Sequence, residues 1–106
     1  MIMSETKKLV SMACRSELAN ARGYGALFNT THEGYAVLKE ETEEAADNLK
    51  AVERCLNEVW QNVKDNDREE MTANLITLKS YALLLVYEAV QVCAVTEKFL
   101  GSSRNE

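Results

Sequence analysis

Four glutamates are the residues of this chain best placed to do chemistry. Glu40, Glu41 and Glu44 stand close together, and Glu88 lies far along the chain in an apolar stretch. On a helix turning about 100° per residue, the first three fall within an arc of about 100°, with Glu41 nearest the apolar side and Glu43 pointing elsewhere. A solvated acidic face would share this pattern, because like charges at such spacing repel by only about 0.2–0.5 kcal/mol and solvent screens them. Glu88 argues for more than a solvated face. It is the only charged residue between Lys79 and Glu97, and Leu84, Leu85 and Val92 lie one turn away. A carboxylate buried among aliphatic side chains must pair, take up a proton or bind a metal, since an isolated buried charge costs several kcal/mol.

The elements that must carry these acids are helices. The 106 residues include no proline and only four glycines, so nothing divides the chain into short strands and tight turns. A first helix is expected from Glu5, behind a Ser4 N-cap, to about Asn20, with Leu9, Val10, Met12 and Ala13 on its apolar side. Arg22-Gly23-Tyr24-Gly25 ends it, and Ala26 to Asn29 form a connector. Thr30 and Glu33 read as a capping box, so a second helix begins near His32. From there Tyr35, Leu38, Thr42, Ala45, Leu49, Val52, Leu56, Val59 and Val63 recur at steps of three and four as a seam. Asp65-Asn66-Asp67 supplies a turn, with Asp67 and Glu70 as a second capping box. The third helix carries Met71, Leu75, Leu78, Ala82, Leu85, Ala89 and Val92 and stops at Gly101, leaving Gly101 to Glu106 as a disordered polar tail. Each long helix would span roughly 50 Å, so a break is expected, with Asp47-Asn48 and Ala73-Asn74 the weakest points by propensity.

The expected fold is therefore all-α: a single-domain helical bundle over residues 1–100, built on a long antiparallel helix hairpin plus an N-terminal helix. Two long seams exceed what one short helix can cover, so the bundle should be completed by oligomerisation as a homodimer or homotetramer. In a hairpin centred on Asn66, Glu44 and Glu88 face each other, and Glu41 faces Gln91. The acidic arc and the isolated acid then converge without a basic residue opposite, which suits a hard divalent cation such as Mg²⁺.

The run His32-Glu33-Gly34-Tyr35-Ala36-Val37-Leu38-Lys39-Glu40-Glu41-Thr42-Glu43-Glu44-Ala45 resembles the Glu-Glu-x-x-Glu helix of MazG-like nucleoside triphosphate pyrophosphohydrolases, in the form seen in phage and prophage proteins. Glu88-Ala89-Val90-Gln91-Val92 is similar to their second motif, Glu-x-x-Asp. The likeness covers about His32 to Leu100. It implies Mg²⁺ held by Glu40, Glu41, Glu44 and Glu88, with Glu41 and Glu44 serving catalysis and pyrophosphate released from a nucleoside triphosphate. Two departures weaken the case for catalysis: Gln91 replaces the motif aspartate, and the stretch between the motifs is longer than in the compact enzymes. His32 at a helix amino terminus, Lys39 and Gln91 are candidate nucleotide contacts. Lys50, Arg54 and Lys79 are further phosphate candidates. Trp60, Tyr24, Tyr35, Tyr81 and Tyr87 could stack on a base, although aromatics at helical spacing usually serve the core.

Composition narrows the partners. A formal charge of −5 has the wrong sign for a nucleic-acid surface. Cys14, Cys55 and Cys93 show no metal-ligand spacing and are expected as small buried hydrophobes. The polar amino-terminal segment does not resemble a signal peptide, and the run from Tyr81 to Val95 is shorter than the roughly 20 residues of a bilayer span. A cytoplasmic protein, in the host cell if phage-encoded, is expected, with no membrane partner. Three functions compete on these grounds: an Mg²⁺-dependent pyrophosphohydrolase; an inactive binding protein that sequesters a signalling nucleotide, such as a phage anti-defence protein; and a helical module that binds protein.

Overall fold

The computed structural model describes residues 2–23 and 27–104, and the side chains of residues 5–18 and 27–102. Its elements are α1 (Ile2–Gly23), α2 (Thr31–Lys64) and α3 (Arg68–Arg104), so the chain is an all-α, three-helix protein. Helix α1 begins before Ser4, which is helical instead of acting as a cap, and ends at Gly23. Tyr24 to Ala26 lie outside the described residues.

Both capping residues anticipated from the sequence are in place. The Glu33 N–H donates to Thr30 Oγ1 at 3.1 Å, and the Glu70 N–H donates to Asp67 Oδ1 at 3.1 Å. Between the long helices, the Asn66 N–H bonds to the Val63 carbonyl and the Asp67 N–H to the Asn62 carbonyl, while Asn66 takes a φ of 55°. This is the Schellman pattern, in which a left-handed residue closes a helix and satisfies its last carbonyls. Asparagine tolerates that conformation better than most residues. Asp67 thereby ends α2 with its backbone and starts α3 with its side chain.

Neither long helix is broken. Both run as continuous α-helix through the points expected to yield, 34 residues in α2 and 37 in α3. At one of these points Asn74 Nδ2 donates to Asn62 Oδ1 at 2.7 Å, a tertiary bond that offsets the weak propensity of asparagine. Asn62 is itself buried.

The chain forms two compact units, Met1–Thr42 with Glu88–Glu106, and Glu43–Tyr87. In the second unit the helices fold back about the Asn66 turn, and the Asn62–Asn74 bond links them. A hairpin symmetric about Asn66 would place Asn62 opposite Glu70. Helical side chains lean toward the amino terminus, away from the turn on α2 and toward it on α3, so Asn62 meets a residue farther along α3. The buried apolar residues here are Ala51 and Cys55. Leu49, Leu56 and Val63, expected in the seam, are about half exposed. The contact face of α2 is thus rotated toward its small residues. Trp60 is also exposed, with the Lys64 ammonium 5.6 Å from its ring centre.

The first unit contains α1, the connector, the start of α2 and the end of α3. Val90 and Ala94 are the buried apolar residues among those described in it. Phe99 lies directly on Gly34: a Cβ at Gly34 would stand 2.9 Å from Phe99 Cδ1. Phe28 meets Phe99 edge to face, with ring centroids 6.1 Å apart, and the Lys98 ammonium sits 4.4 Å from the Phe28 centroid. Buried Ser102 accepts the Phe28 N–H at 2.9 Å and donates to the Lys98 carbonyl at 2.8 Å. These bonds explain why Gly101 does not stop α3, which continues to Arg104; Asn105 and Glu106 lie outside the described residues.

Helix α3 leaves Ile76, Leu83, Leu84, Val86 and Tyr87 exposed. Two other expectations are corrected. Tyr35 and Trp60 are likewise exposed and so are not core aromatics. Of the cysteines only Cys55 is buried; Cys14 is half-buried and Cys93 exposed. By length and composition, moreover, α3 could cross a bilayer: an 18-residue window within Arg68–Ser102 reaches a mean hydropathy of 1.4 and is 17% buried. The run from Tyr81 to Val95 understates this, because a mean hydropathy over 18 residues also takes in residues beyond its ends.

The Gly34–Phe99 contact is directly testable. Gly34→Ala should destabilise the protein by about 1–3 kcal/mol through overpacking, outweighing the roughly 0.5–1 kcal/mol helix-propensity gain of alanine. Urea denaturation checks this. An unchanged or higher midpoint would contradict the contact.

Candidate functional site

The candidate site is built on the first unit, where the start of α2 faces the end of α3. Thr30 caps α2, Gly34 admits Phe99, and two helical turns later α2 presents Glu41. From α3 comes Glu88, three turns before Phe99. Both acids are half-buried, and their carboxylate oxygens lie within 4.8 Å of one another. Glu44 follows Glu41 by one turn on the same unbroken helix and is exposed. Glu41 and Glu44 also make further interactions of their own.

Two carboxylates at 4.8 Å repel by roughly 1 kcal/mol in water and about 3–4 kcal/mol at the effective dielectric near a protein surface. A divalent cation between them reverses the sign. Mg²⁺ binds oxygen at about 2.0–2.1 Å and Ca²⁺ at about 2.3–2.6 Å, so opposed ligands lie about 4.2 Å or about 5 Å apart. Oxygens within 4.8 Å of one another can reach either spacing with small side-chain movement.

The sharper observation is on α3. Glu88 Oε2 and Gln91 Nε2 are both buried without a hydrogen-bond partner. Leaving such an atom unsatisfied costs about 1–3 kcal/mol, and more when it is charged. A cation would satisfy the carboxylate oxygen; a ligand acceptor would satisfy the amide. The residues of this unit therefore fit a divalent ion, with Glu41 and Glu88 as its protein ligands. Glu40 is exposed and lies outside this group.

Among the nucleotide-contact candidates, His32 is exposed and lines a recess of about 380 Å³ with Thr31, Tyr35 and Phe99. Lys39 is exposed on α2 and engages a neighbouring group. Gln91 is half-buried one turn from Glu88. Lys50, Arg54 and Lys79 are exposed in the second unit. Sequence reasoning missed Phe99, which forms a wall of the recess; its apolar type and position near the expected end of α3 carried no signal for a contact with Gly34.

No known protein decides the family. The chain matches no family model, no curated protein and no solved structure.

If the carboxylates hold a divalent ion, millimolar Mg²⁺ should raise the melting temperature of the protein. The stabilisation would be about 1.4 kcal/mol at ten times the Kd. Glu88→Gln should abolish the Mg²⁺-dependent part. An equal Mg²⁺ shift in Glu88→Gln, or none in the unaltered protein, would exclude this centre.

Proposed function

We propose that this protein is an Mg²⁺-dependent nucleoside triphosphate pyrophosphohydrolase of the MazG-like type, converting a triphosphate to a monophosphate and pyrophosphate. The observation that carries the reading is the approach of Glu88, with its unsatisfied buried oxygen, to Glu41. The resemblance of residues 32–45 to the family's first motif supports it.

Glu41, Glu44 and Glu88 would hold the metal, which when bound supplies positive charge to the phosphate oxygens and activates water. The buried Glu88 Oε2 is removed from bulk solvent, which strengthens its charge interactions. His32 stands in the first turn of α2, where unpaired backbone N–H groups already favour an anion. Tyr35, exposed beside His32, offers a face on which a base can stack. Gln91 presents an amide to the ligand and no charge. In this reading Glu41 and Glu44 are the catalytic acids, and the phosphorus is attacked without a covalent enzyme intermediate.

Pyrophosphate release from a panel of nucleoside triphosphates with Mg²⁺ tests the proposal. Glu41→Gln and Glu88→Gln should each lower turnover on the order of 10²-fold or more. Activity that survives both substitutions would sink it.

Gln91 favours a second reading, in which the same site retains a nucleotide without hydrolysing it. Calorimetry would then register nucleotide binding in a protein that releases no pyrophosphate. Gln91→Asp, which restores the motif carboxylate, should confer or raise turnover under either reading. Failure to bind any nucleotide, with or without Mg²⁺, would leave only a helical module that binds protein.

We also infer a homo-oligomer. Leu49, Leu56 and Val63 recur every seven residues on α2 and remain exposed, as do Ile76 and Leu83 on α3. Stripes at this period are what a second copy of a helical hairpin covers. Sedimentation in detergent-free buffer should yield a dimer or tetramer. A monomer, or partition into membranes through α3, would overturn this inference.

A further inference from the structure

One flank of the second unit is apolar and open to water. The contact face of α2 there is marked by buried Ala51, Cys55 and Asn62, and that of α3 by half-buried Leu78, Leu85 and Asn74, which bonds to Asn62. At about 100° per residue, Leu49, Leu56 and Val63 stand roughly a quarter turn to one side of the α2 contact face, with Trp60 just beyond. Helix α3 runs the opposite way, and Leu75 and Val86 stand about a quarter turn from its contact face toward that same side. These residues are between 44% and 59% exposed, so nothing within the unit covers them fully. Counted outward from the Asn62–Asn74 bond, Leu49 is close to level with Val86, and Trp60 with Leu75. The two helices therefore share one apolar patch. Ile76 and Leu83 lie farther round α3.

Charge is sorted by flank. Exposed Asp47, Glu58 and Asp65 lie on the opposite side of α2, so the patch carries little of the net charge of −5 that drives two copies apart. Two residues of opposite sign border its middle, exposed Glu53 on the outer edge of α2 and exposed Lys79 on the outer edge of α3. A partner that suits this patch offers an apolar face with an acid opposite Lys79 and a base opposite Glu53. A second copy of the same patch meets both requirements.

We propose that two copies of the chain pair through this patch about a two-fold axis parallel to the helices, with α2 of each on α3 of the other and Glu53 of each against Lys79 of the other. The proposal rests on the homo-oligomer inferred above and names its face and register. Such an axis keeps every residue at its own height. Counted from the Asn62–Asn74 bond, Glu53 and Lys79 differ by four residues, roughly 6 Å along the axis, which two long side chains can span. The four helices then alternate in direction, each antiparallel to both neighbours, as in an up-down bundle. Turning the second copy end for end instead sets Lys79 against Lys79 at the centre of the patch, and like charges facing across an interface oppose association.

The test is sedimentation of the full chain in detergent-free buffer, beside Lys79→Glu, Glu53→Lys and an equimolar mixture of the two variants. Both positions are exposed, so the fold should survive, and circular dichroism checks that it does. The unaltered protein should self-associate. Each variant alone has like charges in both contacts, and its dissociation constant should rise on the order of tenfold or more. Mixing the variants should restore the affinity, because a pair made of one of each has opposite charges in both contacts. A Glu53–Lys79 contact within one chain would not be rescued by mixing. Self-association that neither variant weakens, or that mixing fails to restore, would overturn this interface and leave the homo-oligomer standing. A monomeric unaltered protein would overturn both.

Discussion

The approach of α2 to α3 in the terminal unit depends on Phe99 lying against a position with no side chain. Helix axes pack about 8–10 Å apart according to the side chains between them, and Gly34 lets a ring occupy space that a Cβ would deny. Phe28 braces that ring from the edge, and Ser102 ties the Phe28 backbone to the last turn of α3. The contact lies two turns from Glu41 and three turns from Glu88, on helices continuous through both. A rigid helix transmits position along its axis. The separation of the two carboxylates is consequently set by apolar packing at one end of the unit, with no need for the acids to attract each other.

Among the described residues the buried apolar set is small and made of small residues: Ala51, Cys55, Val90 and Ala94. Such residues allow close helix contact but remove little apolar area from water, at about 25 cal/mol per Å². The larger aliphatics, including Leu56, Leu83 and Ile76, lie on the exposed flanks. Local chemistry compensates at the turn, where the Schellman bonds, the Asp67 cap and the Asn62–Asn74 bond satisfy polar groups with little apolar burial. The hairpin is thus specified by directional bonds near its turn, while much of its apolar surface stays exposed.

This division explains what could be read from the sequence. The start of α2 and the turn at Asp65-Asn66-Asp67 were legible, because caps and left-handed asparagines act over three to five residues. So was the approach of Glu41 to Glu88, since helix periodicity and a three-residue turn nearly determine it. The identity of the buried face was not. Apolar residues flank both sides of the α2 seam, and the period alone cannot tell whether Leu49 and Leu56 or the adjacent Asn48 and Cys55 face inward. Gly101 misled for a related reason: a glycine ends a helix only where nothing beyond it bonds, and Ser102 bonds across 74 residues to Phe28. The exposure of Cys93 and the role of Phe99 depend on tertiary neighbours that no local pattern encodes.

Glu88 and Gln91 pull the function in opposite directions, and the physics of charge shows why one substitution could separate binding from turnover. A carboxylate at position 91 would add a negative group beside a triphosphate that is itself highly anionic, repelling it unless further metal is bound. An amide removes that repulsion, and its N–H groups can donate to phosphate oxygens. Ground-state binding would gain. Catalysis, however, requires interactions stronger in the transition state than in the bound substrate, and an uncharged amide holds metal charge against the developing leaving group less firmly than a carboxylate. With Glu41, Glu44 and Glu88 supplying the anionic ligands, the proposed centre would retain enough charge for one divalent ion. The glutamine would then shift the same pocket from fast hydrolysis toward retention, which places the pyrophosphohydrolase and the sequestering protein one side chain apart.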